Sequence, residues 1–251
     1  TVPYDTVYYL PKNQFTLKGY QFDEWIDADH SMAIDDEGCI TRTSAQSKSD
    51  VIDLYAQWTP IEYYVAYNSN KPNGATGNIS GTMANSNHEY DTSNNLTANG
   101  YRLTGWTFQS WNTKADGSGT SYTDKASVKN LTTTNGGTVT LYAQWTANKY
   151  TVAYNANGGS GTMAADTATY GSGYVTKENA FSRTGYTFKG WNEKADGTGT
   201  DWTSWIGKSW TWTYTKNITL YAQWTVNKHT LTITGDSGVE TITGNGTYNY
   251  G

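Results

Sequence analysis

Apolar positions along this chain come in short bursts rather than long runs. EYYVAYN from Glu62, GWTFQSW from Gly105 and TVTLYAQWT from Thr138 alternate or concentrate β-branched and aromatic residues, and Gly and Asn clusters bound each burst. Successive side chains of a strand point to opposite faces, so the pattern predicts strands that bury one face. Helical spacing is weak. The nearest candidates, 92–99 and 127–131, predict one or two turns each.

The bursts repeat. LYAQWT stands at 54–59, 141–146 and 220–225, with spacings of 87 and 79. A second motif, Gly, aromatic, any residue, Phe, two residues, Trp, appears as GYQFDEW from Gly19, GWTFQSW from Gly105 and GYTFKGW from Gly185. VAYN at Val65 and Val152, GTM at Gly81 and Gly161, and KADGSGT or KADGTGT from Lys114 and Lys194 keep the same phase. So many landmarks in one order mean tandem copies of one module. The extra length of the middle copy falls in KPNGATGNIS, a Pro/Gly/Asn loop.

Tyr4, Tyr90, Tyr170 and Tyr250 occupy equivalent positions. The expected division is therefore a partial copy 1–59 lacking its opening strand, full copies 60–146 and 147–225, and a tail 226–251 that supplies an opening strand. The chain reads as a piece of a longer protein. Junctions such as TPIEY and TANKY are too short to behave as free coil, so the modules are expected to form an elongated, semi-rigid string.

Composition sharpens the picture. Aromatics reach 15% against 16% charged residues, with 11 Trp and 21 Tyr, so the apolar material sits in a few large rings amid Thr, Asn, Ser and Gly. That is the make-up of strands and turns. Net charge is −5 without a Lys/Arg cluster, which argues against nucleic acid and anionic membrane as partners, and no apolar run is long enough to span a bilayer. Cys39 is the single cysteine, so no internal disulfide or zinc ribbon can form.

VAYNANGGSGTM, AFSRTGYTFKGWNEKADGTGT and TLYAQWT resemble the Listeria-Bacteroides repeat, also called the internalin B-repeat, over nearly the whole chain. The resemblance implies a mainly β, β-grasp-like module: a mixed sheet of about four strands on a short helix or helical turn. It also implies tandem copies in surface proteins of Gram-positive and gut bacteria, a stalk or adhesion role, and no catalytic residues to carry over. Copy one departs from the pattern after Trp25, and copy three departs after Asp201, in WTSWIGKSWTWTYTKN.

The motif tryptophans Trp25, Trp58, Trp111, Trp145, Trp191 and Trp224 are expected in the core, because a module of this size has few large side chains to spare. Trp202, Trp205, Trp210, Trp212 and Tyr214 belong to the divergent part of copy three, and Trp210, Trp212 and Tyr214 alternate with threonines. In an extended strand those rings share one face, which either fills the core or an inter-module contact, or stacks on a sugar or partner. Two or more of Trp205, Trp210, Trp212 and Tyr214 open and coplanar would favour a carbohydrate-binding module.

Other chemistry is weak. Asp27, Asp29, Ser31 and Asp35 have partial calcium-loop spacing, but Met32 and Gly38 stand where Gly and Glu are required. His30, His88 and His229 share no metal-ligand spacing, NANGGSG lacks the Lys-Ser or Lys-Thr of a phosphate loop, and no cofactor or catalytic pattern is present. Asp116 and Asp196 read as turn formers. The sequence thus predicts a non-catalytic extracellular segment at a bacterial surface or secreted. It would serve as spacer and adhesion module toward a host or matrix protein, a glycan or neighbouring domains, with end-to-end strand exchange as a route to self-association.

Overall fold

The computed structural model describes residues 6–27, 32–41, 51–235, 237–238, 244 and 246–250. The chain divides into two compact units. One takes in the described residues up to Lys71 with Ser80–Tyr101 and Phe108–Trp145; the other holds Pro72–Ile79, Arg102–Thr107 and the described part of Thr146–Gly251.

In the second unit, period-two segments build a four-stranded sheet in the order Asp166–Thr169, Lys149–Asn155, Ile218–Val226, Tyr186–Asn192. The central pair is parallel, with Val152 opposite Ile218 and Tyr154 opposite Leu220, and both flanking pairs are antiparallel. A parallel pair needs a long crossover, and residues 156–217 supply it. The mixed sheet of the expected β-grasp-like module is present.

Alternation chooses the buried face: Val152 and Leu220 are fully buried, with Trp191 beside them. The alternation breaks once. A bulge between Phe188 and Gly190 shifts the register, so that Gly190, Trp191 and Asn192 are buried in succession. Buried Asn192 meets its hydrogen-bonding needs by organising the KADGTGT turn. Its Nδ2 donates to the carbonyls of Gly197 and Gly199, and its Oδ1 accepts from the N–H groups of Lys194 and Gly199. Asn112 does the same in copy two.

The first unit repeats the design. Its sheet runs Ser121–Tyr122, Trp106–Asn112, Thr138–Ala147, Glu62–Asn68, Ser86–Glu89, again with a parallel central pair. Copy one contributes a smaller sheet, Ala33–Ile34, Tyr20–Asp27, Leu54–Pro60, in which Phe22 lies opposite Trp58.

Two expectations need correction. Segments 92–99 and 127–131 are not helical: each holds a two-residue strand, Asn94–Asn95 and Ser127–Val128, paired antiparallel. Short Thr, Asn and Ser-rich stretches cannot propagate a helix, and here their backbone groups find partners across the ribbon, as Leu96 N–H does at the Ala126 carbonyl. Among the described residues the one helical element is the 3₁₀ turn Thr203–Trp205. A two-stranded ribbon, Gly173–Val175 with Ser209–Thr211 in copy three, thus covers the core where a helix was expected.

The motif tryptophans also divide. Trp111 and Trp191 are fully buried, whereas Trp25, Trp58, Trp145 and Trp224 are half-buried. Trp58, Trp145 and Trp224 each stand edge-on to a phenylalanine, at 5.7 to 5.8 Å, and Trp145 and Trp224 donate Nε1–H to the carbonyls of Ser69 and Ala156. All three edge the core rather than fill it, Trp145 and Trp224 with their polar atom satisfied. Trp25 meets Phe22 at 5.1 Å and Phe15 at 5.9 Å, where Trp111 meets Tyr67 at 4.9 Å and Trp191 meets Tyr154 at 5.1 Å.

Candidate functional site

Two features stand out from the turns and core: a joint that recurs where one copy gives way to the next, and an aromatic cleft peculiar to copy three.

The joint begins at the glycine that opens each G-aromatic-x-F-x-x-W motif. Gly19, Gly105 and Gly185 hold φ of +82°, +77° and +77°, a left-handed backbone that glycine adopts without steric cost. Each carbonyl accepts from a linker N–H: Ile61 to Gly19 at 3.0 Å, Asn148 to Gly105 at 2.9 Å, Asn227 to Gly185 at 2.8 Å. The linker carbonyl accepts in turn from the N–H of the phased tyrosine of the following copy, Tyr90, Tyr170 or Tyr250, at 2.8 to 2.9 Å. The ring of that tyrosine then folds back over the glycine, so close that a Cβ there would overlap the Tyr90, Tyr170 or Tyr250 ring carbons.

Side chains tighten the relay. Thr107 Oγ1 donates to Asn148 Oδ1 at 2.6 Å, and Thr187 Oγ1 to Asn227 Oδ1 at 2.7 Å. At the first joint Tyr20 O–H donates to Asp91 Oδ2 at 2.8 Å, and Asp91 also accepts from Asn130 and pairs with Lys129. These partners hold the Asp91 carboxyl down at about 2, with the Asn130 hydrogen bond the largest cause. Tyr90 and Tyr170 are buried, while Tyr250 remains 42% exposed. The sequence shows both halves of this device, the glycines and the phased tyrosines, but not that they meet. The constant offset of 65 residues from Gly105 to Tyr170 and from Gly185 to Tyr250 was the available signal.

The cleft, of about 240 Å³, is lined by Thr200, Asp201, Trp202, Trp205, Trp210, Thr213 and Tyr214. The predicted alternation is real: Trp210, Trp212 and Tyr214 turn inward and Thr211, Thr213 and Thr215 outward. The face they share points to the core, the packing alternative of the two that the sequence left open. Trp212 is fully buried and Trp202 2% exposed, so both are packing residues; Trp210 and Tyr214 are half-buried, and Trp205 is 45% exposed. The rings are not coplanar: Trp205 and Trp210 incline at 46°, Trp210 and Tyr214 at 83°. A flat stacking platform is therefore absent, and a partly enclosed notch stands in its place.

Elsewhere, Asp116 and Asp196 accept from the N–H of Ser118 and Thr198, which lowers both carboxyls, as turn formers should. His88 is buried, stacked on Tyr63 and within 2.8 Å of Ser86 Oγ, and burial lowers its pKa. The partial calcium loop lies in part outside the described residues, and no cluster of three or more metal-ligating groups occurs among the described residues. Nor is any helix among them long and apolar enough to cross a membrane.

Comparison with known proteins bears on these features. The model of the Listeria-Bacteroides repeat domain matches residues 63–144 and 150–223, more than half of the chain, and the chain belongs to that family. A Gly-rich membrane protein of Evansella cellulosilytica is 36% identical over 142 residues, covering 54% of this chain and 16% of the relative. Internalin H of Listeria monocytogenes is 34% identical over 151 residues, covering 60% of this chain and 23% of the relative. The chain thus spans less than a quarter of these relatives. No solved structure matches.

Proposed function

We propose that this repeat segment is a non-catalytic spacer of an extracellular bacterial surface protein. Its joints tie each copy to the next through the same contact, and its loops meet a host or matrix partner or neighbouring domains. The observation that carries the reading is the joint itself. A flexible tether needs no conserved contact between modules, yet here one backbone relay and one ring-on-glycine contact recur three times. A family whose modules are non-catalytic, and relatives named as an internalin and a membrane protein, support the surface role.

The test is a pulsed electron-spin distance measurement between labels on copies two and three, in a Cys39→Ser background because Cys39 is exposed. A narrow distance distribution that broadens in Tyr170→Ala is expected. A broad distribution in the parent chain would mean the modules swing freely, and the spacer reading would fail.

A further inference from the structure

Copies two and three share four strands of their sheets, but after the turn copy two adds the edge strand Ser121–Tyr122 while copy three runs into a tryptophan-rich stretch. After its KADGSGT turn, copy two runs through 121–137 with Tyr122 as its sole aromatic residue; copy three spends Trp202, Trp205, Trp210, Trp212 and Tyr214 on 201–217. Copy two packs that stretch with Tyr122, Ala126, Val128 and Leu131, so five rings there are peculiar to copy three. Trp202 and Trp212 are buried in the core of copy three, Trp210 and Tyr214 pack half-buried against it, and Trp205 stands exposed; Trp205, Trp210 and Tyr214 line the cleft.

Rigid backbone holds these rings. Trp205 ends the 3₁₀ turn, whose first N–H, of Thr203, donates to Asp201 Oδ1 at 2.8 Å. Trp210 sits on the strand paired with Gly173–Val175, opposite Tyr174. Trp210 touches Trp205 at 5.5 Å and Tyr214 at 6.1 Å, so those two rings flank it as walls. Beneath them Trp202 is pinned by its Nε1–H to Glu193 Oε1 at 3.2 Å.

The chemistry of the rim selects the occupant. Asp201 and the hydroxyls of Thr200 and Thr213 offer acceptors and donors beside the ring faces. The carboxylates already have partners: Glu193 pairs with Lys216 at 3.1 Å, and Asp201 accepts from the Thr203 N–H at 2.8 Å. An anionic ligand would meet the two carboxylates, and a quaternary ammonium would find them matched. A neutral ligand with apolar C–H faces and hydroxyl edges suits both features. The volume, about 240 Å³, falls below the roughly 300–1,000 Å³ of sites that enclose drug-sized ligands, which favours a single ring over an extended peptide.

We propose that copy three carries a seat for one neutral hexose ring of a glycan, with Trp205, Trp210 and Tyr214 as stacking walls and Asp201, Thr200 and Thr213 as hydrogen-bonding rim. The seat is independent of the joints, so this proposal can fail while the spacer reading stands.

The experiment applies the full chain to a printed array of oligosaccharides ending in neutral hexoses or N-acetylhexosamines, beside sialylated and sulfated glycans and a proline-rich peptide. The best binder is then titrated calorimetrically. Trp205→Ala, which removes an exposed ring and leaves the core, is expected to melt as the parent does and bind about tenfold more weakly. Asp201→Asn, which keeps the turn cap, is expected to weaken binding as well. No neutral glycan retained, undiminished binding by both variants, or preference for the charged glycans or the peptide would each overturn the proposal.

Discussion

The joint makes a quantitative demand at Gly105. Alanine there must hold φ near +77°, which costs an L-residue roughly 1–2 kcal/mol, and its Cβ would enter the space of the Tyr170 ring. Tyr170 is 6% exposed, and burying such a ring is worth up to about 4 kcal/mol at ~25 cal/mol per Å². Expelling it only in part forfeits about half of that, so Gly105→Ala should cost about 3–4 kcal/mol in all. Tyr170→Ala alone should cost about 3–5 kcal/mol, in the range of other buried aromatic truncations. The two losses overlap: once the ring is gone, alanine at 105 carries only the backbone penalty. A double-mutant cycle should therefore show about 2 kcal/mol of coupling, with the double variant more stable than the sum of the singles implies. Urea unfolding followed by tryptophan fluorescence, with slopes compared to confirm a like transition in all four proteins, measures it. Costs that add within about 0.5 kcal/mol would refute the ring-on-glycine contact as the source of the joint's stability.

Two further outcomes follow from the cores. His88 is buried with its pKa lowered by desolvation, so the unfolded chain binds its proton more tightly; stability is full above the ordinary histidine value and falls as pH drops below it. The urea midpoint of the transition that includes copy two should decline between pH 7.5 and 5.5, and His88→Gln should flatten that decline; a parent midpoint constant over this window would contradict the assignment. Trp191→Ala should cost about 3–5 kcal/mol, and Trp224→Ala about half as much, because the second ring is half-buried. Equal losses would erase the distinction between core and core edge.

Much of this architecture was legible in the chain because its signals are local. Alternation in EYYVAYN places Tyr63, Val65 and Tyr67 inside, and the phase of the copies places the turns at Asp116 and Asp196. What was not legible depends on which strand lies beside which. Segments 92–99 and 127–131 have too little periodicity to declare themselves, and they become strands only because the fold lays one against the other. A parallel central pair leaves no local mark either, since its partners, Val152 and Ile218, are joined by a crossover rather than a turn.

The aromatic stretch of copy three shows the same limit from the other side. Its alternation correctly told which residues share a face but not where that face looks, because an inward row and an outward row have one sequence pattern. Exposure then separates rings that composition treats alike: Trp212 at 0% and Trp205 at 45% lie seven residues apart in a single tryptophan-rich run. Copy two gives the comparison, since over the corresponding segment it packs its core with Tyr122, Ala126, Val128 and Leu131, one ring among four side chains. The rings of copy three, held on a turn tied by the Asp201 carboxylate and on a paired strand, mark the place where it departs from copy two, Trp202 and Trp212 in the core and Trp205 at the surface.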